Sequence, residues 1–259
     1  DYYKSESILI SSDSQSSNSM GQFSGMASLA GITLPSSGNF EVEEMIEIIK
    51  SRKFVQHLIS FQGVLPAIMA PESFNKITGK LKYDPEIYDE ENDLWVRSVS
   101  GNRASKPSFL EVHKVYISQL LSIAYDPVSG LVSVKIEHLS PIFAKEFLQL
   151  IINEANNKKR ESDLKTSSNA LAYLRSELEN TPFISIRNSI NQLIKSQLEI
   201  QMTAKINDEY SLKSLEPPFI PEEKSKPSRF FIAIMGFLLG VLLSSLFIIL
   251  KFIARDNNR

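Results

Sequence analysis

Residues 140–182 read SPIFAKEFLQLIINEANNKKRESDLKTSSNALAYLRSELENTP and form the longest uninterrupted helical pattern of the 259-residue chain. Ser140 followed by Pro141 is a good helix start, because serine caps free backbone N–H groups and proline needs no N–H donor at the first helical position. No further proline occurs until Pro182. The stretch therefore predicts one helix of about 60 Å at a rise of about 1.5 Å per residue, longer than an ordinary globular domain uses.

The predicted helix changes character along its length. It is apolar on one side up to residue 155, polar on all sides over residues 156–163, and then carries a narrow leucine stripe at positions 164, 171, 174 and 178. After Pro182 a second narrow stripe follows, made by Ile186, Ile190, Leu193, Gln197, Ile200 and Ala204. Narrow stripes are typical of one helix packing on another. The sequence thus predicts a helical arm, residues 140–206, that leaves the core near residue 156, turns at Pro182 and returns.

The segments before the arm predict a mixed domain, residues 1–139. Residues 2–10 favour a strand, and amphipathic helices are expected at residues 41–60 and 109–119. Two alternating segments around the turn Asp126-Pro127-Val128-Ser129-Gly130 predict a β-hairpin. Residues 210–215 are expected to return to the same sheet. The fold class is therefore α+β: an α/β base domain with a long extended helical arm.

Residues 230–250, FFIAIMGFLLGVLLSSLFIIL, are 21 residues without a charge. This is close to the length that a helix needs to cross a bilayer core of about 30 Å, so the stretch predicts a transmembrane helix. Gly236, Gly240 and Ser244 recur every fourth residue and are predicted to form a stripe where another helix packs closely. A proline-rich segment, residues 207–229, would precede the span, and a short tail, residues 251–259, would follow it. The balanced charges on the two sides leave the orientation open.

The composition excludes several classes of chemistry. With 28 basic and 30 acidic residues, the chain has no basic excess that would favour nucleic acid. It has no cysteine, no glycine-rich phosphate loop and no nucleophile elbow. His57, His113 and His138 do not show metal-ligand spacing. We therefore expect no enzyme activity and no catalytic, cofactor-binding or metal site.

Two charged clusters leave an alternative open. The first contains Asp89, Glu90, Glu91 and Asp93, which could hold Ca²⁺, although a solvated loop is favoured because the glycine and spacing of a calcium loop are absent. The second is the basic run at residues 158–160, which could contact an anionic glycan or a phosphate. A solvated helix face is again the favoured interpretation.

The segment LEPPFIPEEKSKP, residues 215–227, runs directly into the uncharged stretch that contains Gly236 and Gly240. This proline- and glycine-rich segment resembles that of polysaccharide co-polymerases, and the chain resembles the Wzz-type O-antigen chain-length determinants among them. Agreement extends to four other pieces of the sequence, which are YYKSE at residues 2–6, MASLAGI at 26–32, KSRKF at 50–54 and IEHLSP at 136–141.

The resemblance implies a multi-pass protein of the Gram-negative inner membrane, with two spans, both termini in the cytoplasm and most of the chain in the periplasm. It places the second span at residues 230–250 and a first span before Asp1, absent from this chain. It also implies that Pro217, Pro218, Pro221 and Pro227 form the family motif. Because prolines favour extended backbone and resist helix continuation, we expect them to hold the base at a defined angle to the span, with a simple spacer as the alternative.

The function implied by the resemblance is regulation without catalysis. Such proteins form ring-like homo-oligomers, of which the octamer is one example. They set the chain length of lipid-linked polysaccharide made by a Wzy-type polymerase. One alternative is a co-polymerase-like adaptor for capsule or exopolysaccharide export that works with a separate tyrosine kinase. A more distant alternative is a periplasmic adaptor of an efflux system, whose span is normally at the other end.

Overall fold

The computed structural model describes residues 1–12, 37–99, 101, 103–226, 237 and 240. It is a mixed helical and sheet fold, as the sequence predicts. The strands of its main sheet are β1 (Tyr2–Ser11), β6 (Leu121–Asp126), β7 (Leu131–His138), β8 (Leu212–Glu216) and β9 (Lys224–Lys226). This sheet is antiparallel and has the strand order β6-β7-β1-β8, with the short strand β9 also paired with β1.

Helices cover one face of the sheet. They are α1 (Ser37–Lys50), α2 (Arg52–Leu58), α3 (Val64–Met69), α4 (Phe109–Val115) with a following π-helical turn (Tyr116–Leu120), α5 (Pro141–Asn180) and α6 (Ile184–Ile206). Alternate residues of β7 point into the core, as the predicted hairpin requires. The largest fully buried side chains include Tyr116, Phe147, Leu9, Met45 and Ile49. The core therefore lies between the sheet, the four helices α1 to α4 and the first half of α5.

The single helix expected over residues 41–60 is wrong in one respect, because two helices occupy the region. Ser51 adopts an extended conformation between them, with φ −70° and ψ 148°. Its hydroxyl accepts a hydrogen bond from the N–H of Phe54 at 3.1 Å and so starts α2. The apolar pattern continues across the break because Val55 and Leu58 of α2 face the same core as Met45 and Ile49 of α1.

Two small hairpins lie between α3 and α4, a region that contains the acidic run interpreted above as a solvated loop. The first pairs β2 (Pro71–Asn75) with β3 (Lys80–Tyr83), and the second pairs β4 (Tyr88–Asp89) with β5 (Leu94–Trp95). These strands are short and lie largely at the surface, so their hydrophobic alternation is weak. The ring of Tyr88 contacts both Tyr83 and Trp95, at centroid distances of 5.5 and 5.0 Å. Aromatic contacts therefore join the two hairpins.

Two long helices, α5 and α6, occupy the segment that the sequence predicts as an arm. The first half of α5 is buried against the sheet up to Asn156, and beyond it α5 packs against the returning α6. Leu171 and Ile190 are among the few buried residues along this pair, whereas Ile186 and Leu193 of the predicted stripe are 48% and 43% exposed, so the stripe is only partly used for packing. The hydroxyl of Ser167 donates to the carbonyl of Gln197 at 3.0 Å, which fixes the antiparallel register. The free part of the arm, residues 157–180, is about 36 Å long at about 1.5 Å per residue.

The predicted transmembrane stretch lies outside the described residues except for Phe237 and Gly240, both of which are helical. Among the residues that the structure does describe, no helix has the length and apolar character needed to cross a bilayer. The transmembrane helix at residues 230–250 therefore stays a prediction.

A buried histidine at the end of β7 predicts a pH-dependent stability. The Nδ1 atom of His138 accepts from the N–H of Ser140 at 3.0 Å, and Nε2 donates to the carbonyl of Ala67 at 2.9 Å, so the ring is neutral. Burial lowers the pKa of His138 from 6.5 to about 4. Below pH 6.5 the imidazole of His138 is therefore protonated in the unfolded chain but stays neutral in the folded chain until the pH reaches about 4. The free energy of unfolding consequently falls as the pH falls from 6.5 toward 4.

We expect the free energy of unfolding in urea to fall by up to about 3 kcal/mol across this pH range because of His138. The substitution His138→Gln should remove most of this slope. His113→Gln is the matched control, because His113 also bonds a backbone carbonyl, that of Lys50, but shows no comparable burial. An unchanged slope in His138→Gln would contradict the prediction.

Candidate functional site: the junction of arm and sheet

A buried asparagine marks the point where α5 leaves the core. The side-chain oxygen of Asn156 accepts from the N–H groups of Ser211 and Leu212, both at 2.9 Å. Its amide nitrogen donates to the carbonyl of Leu212, also at 2.9 Å. Asn156 is 2% exposed. One side chain thus satisfies three buried backbone groups and joins α5 to the start of β8, the strand by which the chain returns from the arm.

An ionic cluster lies one turn further along α5. The ammonium of Lys159 contacts the carboxylates of Glu44 and Asp163 at 2.9 and 3.1 Å. Burial disfavours the charge of Lys159, but the hydrogen bonds and the two carboxylates outweigh burial and raise its pKa. The hydroxyl of Tyr210 donates to the other oxygen of Asp163 at 2.9 Å. The cluster therefore connects α1, α5 and the returning chain through charge-assisted hydrogen bonds.

Arg160 holds the chain that leaves α6. Its guanidinium donates to the carbonyls of Asn207 and Asp208 at 2.7 and 2.6 Å. Lys159 and Arg160 are therefore bonded within the protein. They do not form a solvated helix face, and they are not free to bind an anionic glycan or phosphate. Among the contacts of the described residues, Lys158 makes a surface ion pair with Glu161, at 3.2 Å.

A second polar pair joins α2 to the same helix. The Nε2 atom of His57 lies 2.5 Å from the carboxylate of Glu154, and the His57 ring packs edge-on against Phe61. Both partners are partly buried, at 31% and 16% side-chain exposure. The first histidine singled out in the sequence thus holds α2 against α5.

The proline-rich segment lies along β1. The hydroxyl of Ser5 donates to the carbonyl of Phe219 at 2.7 Å, and that of Ser7 donates to the carbonyl of Glu216 at 2.7 Å. Both serines are fully buried. Pro218 and Pro221 are buried, whereas Pro217 is exposed and Pro227 lies outside the described residues. The structure therefore gives two of the four predicted prolines a packed position.

The end of the proline-rich segment returns to the first residues of β1. Lys224 and Lys226 of β9 pair with Tyr3 and Tyr2, respectively. Ion pairs from Lys224 to Asp1 and from Lys226 to Glu137 reinforce this contact. The segment that leads toward residue 230 and the start of β1 therefore lie side by side.

The structure describes one of the three residues predicted to pack against another helix, Gly240. Gly236 and Ser244 lie outside the described residues. Gly240 is helical, and no described atom lies within 4 Å of the position where its Cβ would be. Close packing at this stripe stays a prediction.

Two carboxylates of the acidic run accept hydrogen bonds from groups in their own turn. The carboxylate of Asp89 accepts from the N–H groups of Glu91 and Asn92 and from the Asn92 side chain, which lowers its pKa. Asp93 accepts from the hydroxyl of Tyr88, and this bond raises the pKa of Tyr88 to about 12. Within the described part of the chain, no group of three His, Asp or Glu side chains could hold a metal ion.

An open cleft of about 520 Å³ lies between α3, β3 and the start of α5. Its described lining is mainly apolar and aromatic and includes Phe61, Tyr83, Ile142 and Phe143, with Glu146 as its one carboxylate. Paired carboxylates for acid–base catalysis are thus not found among these lining residues.

Sequence reasoning missed the residues that build the junction. Asn156 is the first residue of the polar run in α5, and its burial depends on β8, which is more than fifty positions away in the chain. Ser5 and Ser7 lie on the same face of β1 as Tyr3 and Leu9, because every second residue of a strand points to the same side, and this spacing was the one available signal that they face inward.

No protein-family model matches the chain, and no curated protein matches it. Among solved structures, it is similar to a fragment of WzzB, a polysaccharide co-polymerase from Salmonella Typhimurium. The identity is 16% and the TM-score is 0.36, over 88% of this chain and 100% of the WzzB fragment.

The junction predicts a specific stability defect. In Asn156→Ala, three buried backbone groups of residues 211–212 would lose their partner, so the free energy of unfolding should fall by about 2–4 kcal/mol. Hydrogen exchange of the β8 amides should accelerate more than that of β7. Asn153→Ala on the same helix is the control, because Asn153 is exposed and bonds only Gln149 among the described contacts. Equal effects of the two substitutions would refute the assigned role.

Proposed function

We propose that the chain is a non-catalytic regulator of the chain length of lipopolysaccharide O-antigen or a related surface polysaccharide. The observation that carries the proposal is the architecture: a rigidly joined helical arm and the approach to the uncharged stretch emerge at opposite ends of one sheet. The sequence resemblance of residues 215–227 to the polysaccharide co-polymerases supports the same conclusion independently.

The two ends of the sheet can be located from the pairing of β1. Leu212, which is bonded by Asn156 at the base of the arm, pairs with Ser11 at the end of β1. Lys226, from which the chain continues toward residue 230, pairs with Tyr2 at the start of β1. Strands rise about 3.3 Å per residue, so about 30 Å separate the two points. With residues 230–250 in the membrane, the arm would project away from the bilayer.

The described contacts suit a structural role for the arm. Asn156, Lys159 and Arg160 hold both of its helices to the base within two turns of α5. A helix pair fixed in this way keeps a set direction, whereas a single flexible linker would not. Such an arm would stand beside a growing glycan and limit its extension by a Wzy-type polymerase, without making or breaking bonds.

The surface of the arm supports self-assembly. Exposed apolar side chains on it include Tyr173, Ile186, Leu193, Met202 and Ile206, with exposures from 43% to 72%. Apolar side chains that are exposed in one copy are available for contacts with another copy. In the proposal these side chains contact neighbouring copies in a ring-like homo-oligomer at the inner membrane, with most of each chain in the periplasm and lipid-linked polysaccharide as the regulated product.

The test is the lipopolysaccharide ladder of a deletion strain. Loss of the chain should replace a clustered distribution of O-antigen lengths on a gel with a continuous one, and expression of the chain should restore the cluster. An unchanged ladder would reject this function. A loss of capsule with a normal ladder would instead favour the export adaptor that works with a separate tyrosine kinase.

The buried prolines give a sharper prediction. Replacing both Pro218 and Pro221 with alanine frees the backbone that leads to residue 230, because proline restricts φ and favours extended structure. We expect the double variant to broaden the ladder while remaining at normal abundance in the membrane. Pro217→Ala is the control, because Pro217 is exposed. A normal ladder in the double variant would leave the prolines as a simple spacer.

A further inference from the structure

We propose that the β2–β3 hairpin docks on the bilayer surface, with Ile77 at its tip entering the lipid and Lys76 and Lys80 contacting anionic headgroups. The inference rests on the proposed function in one respect, namely that residues 230–250 cross the membrane. It adds a contact between the base domain and the lipid to the anchor at residues 230–250.

The tip of the hairpin presents an apolar side chain in a defined turn. Ile77 is 96% exposed. The side chain of Asn75 accepts from the N–H groups of Ile77 and Thr78, and the N–H of Gly79 donates to the Asn75 carbonyl at 2.9 Å. Gly79 has φ +68°, a conformation that glycine adopts without strain. Ile77 is therefore held outward by a bonded turn.

Contacts place this turn at the membrane-facing end of the sheet. Phe74 packs edge-on against Tyr3 at 6.5 Å, and the ammonium of Lys76 lies 5.4 Å from the centre of the same ring. Tyr3 pairs with Lys224 of β9. The hairpin tip thus lies beside the strand from which the chain continues toward residue 230.

The charge of the hairpin suits an anionic surface. Residues 71–83 contain Lys76, Lys80 and Lys82 against a single acidic residue, Glu72. Lys82 pairs with Glu72 at 2.7 Å, and this leaves an excess of two positive charges next to the tip. Basic residues around an exposed apolar side chain are the combination that favours binding to a membrane containing anionic lipid.

A second hairpin of the same domain provides the matched control. Val128, at the tip of the β6–β7 turn, is 95% exposed. Its turn lies at the opposite end of the sheet, since Leu131 pairs with Ile10 of β1. Its neighbour Asp126 is acidic and bonds the turn itself, at Val128 and Ser129. An exposed apolar tip is thus present on both hairpins, but lysines flank only the tip of the β2–β3 hairpin in the sequence, whereas Asp126 precedes Val128.

The experiment uses the absence of cysteine from the chain. Ile77→Cys, Val128→Cys and Phe237→Cys are each labelled with an environment-sensitive fluorophore on the full chain and reconstituted into nanodiscs containing phosphatidylglycerol. We expect the label at 77 to shift to shorter wavelength and to be quenched by lipids with a nitroxide near the headgroup. The label at 128 should show neither change, and the label at 237 should be quenched by nitroxides deeper in the acyl chains.

Each outcome separates the two proposals. If the label at 237 is quenched and the label at 77 behaves like that at 128, hairpin docking is overturned while the membrane anchor stands. If the label at 237 is not quenched, the transmembrane assignment falls and docking falls with it. The lipopolysaccharide ladder tests the chain-length function separately.

The lysines are tested in the labelled Ile77→Cys chain. Lys76→Glu with Lys80→Glu should abolish the quenching at 77 in phosphatidylglycerol discs and leave the label at 237 unchanged. Discs of phosphatidylcholine alone should also give a loss of quenching at 77. Quenching that persists in both experiments would overturn the role of anionic headgroups.

Discussion

The long helix α5 is about twice the length of the sheet on which it packs, and most of the architecture follows from this mismatch. Forty residues of helix extend about 60 Å, whereas the ten residues of β1 extend about 33 Å. The sheet can therefore bury only the first half of α5. The second half has to find another apolar partner, and α6 provides it through the narrow seam around Leu171 and Ile190.

The exit point of α5 needs polar contacts because the backbone of β8 is buried there. Asn156 supplies both acceptor and donor to residues 211–212, and Lys159 is surrounded by two carboxylates. A shift of α5 by one turn along the sheet would cost free energy, since the partners of these polar groups would be left buried and unsatisfied. The junction therefore fixes the register of α5 on the sheet more strictly than apolar packing would.

At the other end of the sheet, buried hydroxyls of β1 hold an irregular segment that cannot form a regular ladder. Prolines lack the N–H that strand pairing requires, so Ser5 and Ser7 bond the carbonyls of Phe219 and Glu216 instead. The sheet then resumes at β9, next to the start of β1. This arrangement brings the hairpin tip at Ile77 and the path toward residue 230 to one end, and the arm to the other, which suits the proposed role at a membrane.

Local patterns in the sequence determined the elements with strong periodicity. The capped start at Ser140 and Pro141, the distance to Pro182 and the leucine stripe predicted the arm, because these signals act over a few residues. The tertiary structure alone decided which polar residues are buried. Asn156 and Arg160 meet the chain at residues 207–212, and Ser5 meets Phe219, more than two hundred positions away. Such contacts arise from sheet pairing and helix register, and no local pattern encodes them.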